Sequence, residues 1–198
     1  MQKEFWNSRY KEEAYAYGIE PKEYVKQELG KGEGKSILFP CEGEGRNAVY
    51  AAKLGWKVFA FDYSLSGKEK AMNLAGKAGV RIEYEVCSFE DYRPTEKFDA
   101  IVLSYAHIPY PDRAAFHKLV VSWLKPDGRL ILEGFSKSQL GLSSGGPKDV
   151  KTLLSVDELN EELKGIHFDY MEEVEVDLTE GKYHVGKGMV IRGRGKKK

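Results

Sequence analysis

The stretch from Ser36 to Asp62 constrains this chain more than any other: S-I-L-F-P-C-E-G-E-G-R-N-A-V-Y-A-A-K-L-G-W-K-V-F-A-F-D. A short apolar strand (Ile37 to Pro40) leads into a tight loop holding Gly43 and Gly45. A helix follows, carrying Ala48, Val49, Ala51, Ala52 and Leu54, and a second apolar strand (Val58 to Phe61) stops at an acid, Asp62. That is one βαβ half-unit of a nucleoside-binding sheet. Glycines let the backbone approach a ligand, and the helix N-terminus offers unpaired N–H groups. An acid ending the second strand can accept from both ribose hydroxyls.

The rest of the chain repeats the αβ rhythm. Ser64 and Ser66 fit the start of a helix through Ala78, with Ala71, Leu74 and Ala75 on one face, and Arg81 to Val86 reads as a third strand. Phe98 to Ser104 is a continuous apolar run suited to a strand buried on both faces. Pro111 opens a helix whose inward stripe is Phe116, Leu119, Val120 and Trp123, and Lys125-Pro126-Asp127-Gly128 turns into a fifth strand, Arg129 to Glu133. Ahead of the core, Phe5, Trp6 and Tyr10 share a helix face, and a second helix opening at Pro21 turns Tyr24, Val25 and Leu29 inward. The glycine-rich Gly30 to Gly34 is a connecting loop, because no apolar strand precedes it.

After the fifth strand, residues 135–154 form a polar Gly/Ser-rich segment of the length expected for a lid. Ser155 with Glu158 makes a capping box for a helix carrying Leu159 and Leu163. Tyr170 to Leu178 and Tyr183 to Arg192 alternate around Thr179-Glu180-Gly181-Lys182 as an antiparallel hairpin. The terminal G-R-G-K-K-K is expected to be a frayed, solubilising end. The plan is an α/β fold, a doubly wound, mostly parallel sheet with an antiparallel C-terminal hairpin and N-terminal helices. One domain covers 1–198: a helical cap (1–30), a cofactor-binding βα core (36–134), the lid loop (135–154), and a helix with the terminal hairpin (155–198).

Composition narrows the partners. The 198 residues suffice for one domain with a sizeable core, and 31 basic residues cancel 31 acidic ones. No global field therefore favours nucleic acid or an acidic membrane. No apolar run approaches the roughly 20 residues of a membrane span, and M-Q-K-E-F-W lacks the apolar core of a signal peptide. The expected protein is cytoplasmic, acts on a small molecule, and binds neither nucleic acid nor membrane. A monomer is favoured, although the sequence leaves oligomeric state open. Cys41 and Cys87 are too few for a disulfide framework or a structural zinc site, and no metal site is expected. They end strands one and three, about 10 Å apart at about 4.8 Å per inter-strand step. That exceeds the roughly 7 Å reach of a disulfide, so both read as free thiols.

With those residues, the plan resembles the class I S-adenosylmethionine-dependent methyltransferases over nearly the whole chain. It is most similar to the bacterial small-molecule group related to the tellurite-resistance and thiopurine methyltransferases. The leader F-W-N-S-R-Y-K-E-E-A-Y-A-Y-G-I-E-P, the loop E-G-E-G-R-N-A, the L-K-P-D-G-R-L-I-L-E turn and strand, and S-G-G-P-K-D with E-G-K-Y-H-V-G-K carry the resemblance. It implies a seven-stranded Rossmann-like sheet, S-adenosylmethionine as cofactor, and methyl transfer to a thiol, metalloid oxyanion or similar acceptor by in-line displacement. A non-catalytic binder of the cofactor or its demethylated product is the alternative. A dinucleotide enzyme fits less well, because Ala48 replaces the third glycine of G-x-G-x-x-G.

Carried over residue by residue, the resemblance places Gly43 and Gly45 against the cofactor, Asp62 on its ribose, Ser88 and Phe89 at the adenine, and Tyr17 nearby. Tyr105 and His107, after strand four, and His184, in the hairpin, would lie near the transferred methyl and form the catalytic set. Related sequences have an acid where Phe39 stands and a glycine at Cys41. Glu42 is then the candidate partner of the cofactor's α-amino group, and Arg46 of its carboxylate. Plainer readings stand beside these. Asp62 would cap the next helix, Arg46 would pair with Glu44 on the surface, and Trp6, Tyr15 and Tyr17 would simply pack. His107 and His184 each stand between substrate contact and a satisfied polar role, whereas His117 and His167 read as structural or solvated. Val185 follows His184 where tellurite enzymes have arginine, which argues against tellurite. Lys148, Arg113 or Lys187 would supply a cationic lining for an anionic acceptor.

Overall fold

In the computed structural model, which describes residues 2–198, the cap is α1 (Gln2–Tyr10) and α2 (Glu23–Glu28). The core runs β1 (Ser36–Pro40), α3 (Arg46–Lys53), β2 (Lys57–Asp62), α4 (Leu65–Lys77), β3 (Glu83–Val86), β4 (Phe98–Ser104), α5 (Asp112–Trp123) and β5 (Leu124–Phe135). Helix α6 (Val156–Glu162) precedes the hairpin strands β6 (Ile166–Glu180) and β7 (His184–Lys197). The seven strands form one sheet in the order β3-β2-β1-β4-β5-β7-β6. Every pairing is parallel except β5–β7 and β6–β7. The doubly wound sheet with an antiparallel hairpin is therefore what forms. Strand order reverses between β1 and β4, and such a reversal opens a crevice at the carboxyl ends of those strands.

The period-2 alternation of the strands divides the core. Ile37 and Phe39 of β1 join Val49, Ala51 and Ala71 on the face covered by α2, α3 and α4. Leu38, between them, packs with Phe116, Val120 and Trp123 of α5 and Leu159 of α6 on the other face. A strand covered on both sides has no solvated face, which is why β1 and β4 read as unbroken apolar runs. On the first face Asn47 Oδ1 accepts from Lys22 N at 2.9 Å, fastening the cap to the start of α3.

Some local expectations fail for physical reasons. The C-terminal tail is not frayed: β7 runs to Lys197, whose Nζ donates to Leu124 O at 3.0 Å. A strand edge offers the tail backbone partners that its charge pattern does not reveal. Strand β5 begins at Leu124, before the K-P-D-G turn residues, with a register shift between Phe98 and Ala100 absorbing the extra length. Strand β3 is shorter than expected, beginning at Glu83. Ser155 does caps α6 by position but without a side-chain hydrogen bond to the helix amides. Glu158 turns instead to Arg113 and Lys137.

Candidate active site

At the carboxyl ends of the parallel strands lies a cleft of about 860 Å3, lined from the cap, the core loops, residues 143–148 and the hairpin. One wall begins at the glycine loop. Gly43 and Gly45 have φ of +65° and +89°, but neither lines the cleft. A Cβ at Gly43 would lie 2.5 Å from Tyr10 Oη, and one at Gly45 would lie 2.6 Å from Ala71 Cβ. The glycines thus let α1 and α4 close over the loop, a demand made by the protein itself.

Two carboxylates face the cleft beside that loop. Asp62 accepts from Gly43 N at 3.2 Å and from Ser64 N at 2.9 Å. Only 7% exposed, it titrates upward to about 6, because burial outweighs those two backbone bonds. It is therefore both the strand-end acid that braces the next turn and a cleft-lining group, since each oxygen holds a single backbone N–H. Glu42 Oε1 accepts from Asn47 N at 3.0 Å and Ala48 N at 2.8 Å, capping α3 where no serine or threonine does. Burial raises it to about 7, and its second oxygen has no hydrogen-bond partner among the described residues. Arg46 does not pair with Glu44. Its Nη1 donates to Tyr17 O at 2.9 Å and its Nη2 to Glu180 Oε2 at 2.8 Å. These bonds use two of the five guanidinium N–H donors and tie the cap to the hairpin while Arg46 still lines the cleft. Glu44 is buried instead between Lys70 Nζ and Ala16 N, each at 2.8 Å.

Phe89 lines the cleft, whereas Ser88 hydrogen bonds Asp91 beside it, Oγ to Oδ2 2.9 Å, and does not. Cys41 and Cys87 are free thiols in the same wall, both pushed up in pKa by burial, Cys87 to about 12. Neither is a thiolate at neutral pH, so neither is a ready nucleophile.

The opposite wall is aromatic. The ring of His184 lies 4.5 Å from that of Tyr17, 5.0 Å from Tyr105 and 5.1 Å from Phe135, between centroids. Tyr105 reaches this wall with φ of +55°, a strained conformation for a bulky residue. Its hydroxyl accepts from Lys22 Nζ at 3.2 Å and lies beside Glu133, which with burial raises it far above an ordinary phenol. A group so held does not give up its proton, so Tyr105 is a wall and an anchor, not a base.

The two candidate histidines differ. His107 Nδ1 meets Thr152 O at 2.9 Å, and Phe135 N donates to its Nε2 at 3.1 Å. Those contacts fix the tautomer with the proton on Nδ1. Burial lowers the ring to about 4. With both nitrogens committed, His107 cannot accept a substrate proton, which corrects its expected catalytic role. His184 has no hydrogen-bond partner within reach of either nitrogen among the described residues, and Nδ1 is 3.7 Å from Glu180 Oε2. Burial depresses His184 below the ordinary imidazole value, so the ring is neutral at neutral pH.

Behind His184 lies a buried ion network with no counterpart in the sequence reading. Lys22, 4% exposed, contacts Glu133 Oε1 at 2.9 Å and also Glu180 Oε1, and Arg192 Nε reaches Glu133 Oε2 at 2.6 Å. Burial alone would raise Glu180; His184, Arg46 and Lys22 outweigh it and hold the carboxyl far below its usual range. The network knots the cap, β5 and the hairpin tip beneath the aromatic wall. Its signal was faint: Glu180 opens the stretch that resembles a family hairpin and Lys22 only follows the leader, and nothing local marks either as buried.

Of the three cations expected to line the cleft only Lys148 does so, and Arg9, Arg46 and Lys182 join it there. Arg113 is buried against Glu158, Glu162 and Leu153 O, away from the cleft. Lys187 pairs with Glu175 and Asp177 on the outer hairpin. Lys148 lines the cleft but is exposed, its Nζ 3.4 Å from Leu142 O. His117 is structural, its Nδ1 2.8 Å from Glu162 Oε2, and His167 is an exposed residue of β6.

Residues 37–128 match the model of a family described as a methyltransferase domain. Among curated proteins nothing matches the sequence. A protein from a structure on conversion of a disulfide bond into a thioacetal group during echinomycin biosynthesis superposes with TM-score 0.79 at 18% identity, over 100% of this chain and 92% of its own. The N-methyltransferase NodS from Bradyrhizobium japonicum WM9, in complex with S-adenosyl-L-homocysteine, gives TM-score 0.73 at 12% identity, over 98% and 97%. TehB from Haemophilus influenzae gives 0.68 at 17%, over 83% of this chain and 58% of TehB. Such identities establish likeness of fold. The matched core is an S-adenosylmethionine-dependent methyltransferase domain, with S-adenosylmethionine as its cofactor.

Proposed function

We propose that this methyltransferase moves the methyl of S-adenosylmethionine to a small-molecule acceptor held at the aromatic wall, with His184 as the base. The observation that carries the reading is the pairing, in one cleft, of the Asp62 carboxylate, each of whose oxygens takes a single backbone N–H, and the open Oε2 of Glu42 with a neutral, unpartnered imidazole on the far wall. When bound, the cofactor supplies an electrophilic methyl on a sulfonium, an excellent leaving group. Asp62 suits the ribose hydroxyls, and the open oxygen of Glu42 suits the α-amino group. Phe89 gives the adenine an apolar surface. Tyr17 closes over the site from the cap, its hydroxyl held by Arg9 Nη1 at 3.2 Å.

Little chemistry remains for the protein beyond alignment and exclusion of water, which supply several kcal/mol in well-oriented reactions. Residues 135–154 serve here as a lid. Gln139, buried, binds Ser144 Oγ, Gly145 O and Met189 N, so the segment is moored to β7 at its base while residues 143–148 reach the cleft. The ionised Glu180 faces His184 Nδ1, which favours the proton there and leaves the Nε2 lone pair for the acceptor's proton. At 3.7 Å that contact is longer than a hydrogen bond, as catalytic contacts often are before substrate binds.

A cleft of this size suits a small acceptor better than a macromolecule. Among the described residues no helix is long and apolar enough to cross a membrane, and a cytoplasmic location is part of the proposal. Calorimetry with S-adenosyl-L-homocysteine tests the cofactor half, and formation of that product over an acceptor panel tests turnover. Binding without turnover of any acceptor would leave only a non-catalytic binder.

A further inference from the structure

The geometry points to Arg9 as the docking group for a carboxylate on the methyl acceptor, which makes the acceptor a small organic acid with its reacting atom turned to His184. This rests on the methyl-transfer reading above and names the substrate class of that site.

The first support is the donor that the fold leaves over. Arg9, partly buried in the last turn of α1, lines the cleft. Its guanidinium carbon lies 3.9 Å from the ring centroid of Tyr183 and 4.6 Å from that of Phe5, and its Nη1 donates to Tyr17 Oη at 3.2 Å. Stacking on a ring occupies the face of a guanidinium and leaves its N–H bonds pointing outward in the plane. Only one of the five donors is used among the described residues. No carboxylate there pairs with it. Glu12, on the same rim, gives one oxygen to Tyr183 Oη and the other to Lys182 Nζ.

The second support is position. Tyr183 and Tyr17 hold Arg9, and both adjoin His184: Tyr183 precedes it in the chain, and the Tyr17 ring lies 4.5 Å from the His184 ring. The other cleft charges stand elsewhere or are paired. Arg46 pairs with Glu180 and Lys182 with Glu12, while Glu42 and Asp62 flank the glycine loop. Glu90 follows Phe89, Asp112 opens α5, and Lys148 reaches the cleft from the lid with no acid partner among the described residues. The rings of Tyr105 and Phe135 are engaged already. Lys22 Nζ lies 4.9 Å from the Tyr105 centroid, His107 stacks on Phe135 at 5.7 Å, and a Cβ at Gly146 would lie 2.9 Å from Phe135 Cδ2. The wall is thus a packed platform, and the open fork at its rim is that of Arg9. A planar carboxylate matches such a fork with two parallel charge-assisted hydrogen bonds.

The test titrates the full chain by calorimetry with phenylpropionate, phenylpropanol and phenylpropylammonium, ligands alike in body and different in charge. Each is run with and without saturating S-adenosyl-L-homocysteine. The carboxylate is expected to bind about 10–100-fold tighter than the alcohol, the range of a hydrogen bond to a charged group, and the ammonium no tighter than the alcohol. Arg9→Gln should abolish the carboxylate preference and Arg9→Lys should keep part of it. Both should leave the affinities for the alcohol and for S-adenosyl-L-homocysteine unchanged. Carboxylate binding no tighter than alcohol binding, or a preference that survives Arg9→Gln, would overturn the proposal. So would an equal loss of S-adenosyl-L-homocysteine and carboxylate affinity in Arg9→Gln, which would assign Arg9 to the cofactor. Where a variant fails to fold, the wild-type ranking decides alone. Failure to bind S-adenosyl-L-homocysteine would instead overturn the methyl-transfer reading, while the charge ranking without cofactor would still be read on its own.

Discussion

His107 and His184 share one aromatic wall, each within 6.0 Å of the Tyr105 ring, yet they stand in opposite chemical states. His107 spends one nitrogen on Thr152 O and the other on Phe135 N–H, so its ring is a strut between β4, β5 and the lid. His184 spends neither, and only the Glu180 carboxylate lies near it. The same contrast separates the two buried charge clusters. Arg113, Glu162 and His117 form a closed unit that braces α5 against α6, remote from the cleft. Lys22 and Glu133 are as buried, but with the partly exposed Glu180 and Arg46 they end beneath a residue with an unmet nitrogen. Burial of a polar group is thus not a mark of function by itself.

The sharpest way to break the comparison is to remove each histidine. His184→Asn is expected to lower kcat by about 10²–10⁴-fold, the usual contribution of a positioned base, with S-adenosyl-L-homocysteine affinity unchanged by calorimetry. Equal losses in His107→Asn and His184→Asn would erase the distinction. Next come the two clusters. Lys22→Met and Arg113→Met each remove one cation from a buried cluster, leaving Glu133 with Arg192 alone and Glu162 with His117 alone, and should cost about 3–5 kcal/mol in urea unfolding. Only Lys22→Met should also slow turnover, because only that cluster supports the aromatic wall.

A smaller effect is expected for His107→Phe, about 2–4 kcal/mol from leaving a buried carbonyl and a buried N–H unpaired. Its pH dependence carries a sign. His107 has its folded value lowered to about 4, below the ordinary 6.5, so the unfolded chain binds the extra proton in that window. The stability gap between wild type and His107→Phe should therefore be full above pH 6.5 and shrink as pH falls towards 4. Glu42 gives the mildest test. Its folded value is raised to about 7, so its negative charge is lost as pH falls through neutrality. Cofactor affinity should weaken from pH 8 to pH 6 by up to about tenfold in all, and Glu42→Gln should bind weakly and without that slope.

The strands were legible because each is written in one contiguous run. Phe98 to Ser104 is a strand in sequence and in structure, with no partner needed to recognise it. Asp62 was legible for a similar reason: a strand end fixes where its acid stands. The glycine loop was legible as a loop but not in its reason, since Tyr10 and Ala71, which forbid a side chain there, come from distant segments. Arg113 and Arg46 looked like free cations because their carboxylate partners, Glu162 and Glu180, lie 49 and 134 residues away.

The sequence by itself determined the doubly wound sheet, the crevice at its switch point and the acid beside the glycine loop, because periodicity and chain order are local properties. Only the tertiary structure decided which side chains in that crevice are free to act. Contacts between distant segments occupied both nitrogens of His107, paired Arg46 and Arg113 with carboxylates, and left His184 Nδ1 without a hydrogen bond. A polar atom's availability depends on every neighbour it meets, and those neighbours are assembled only when the chain folds.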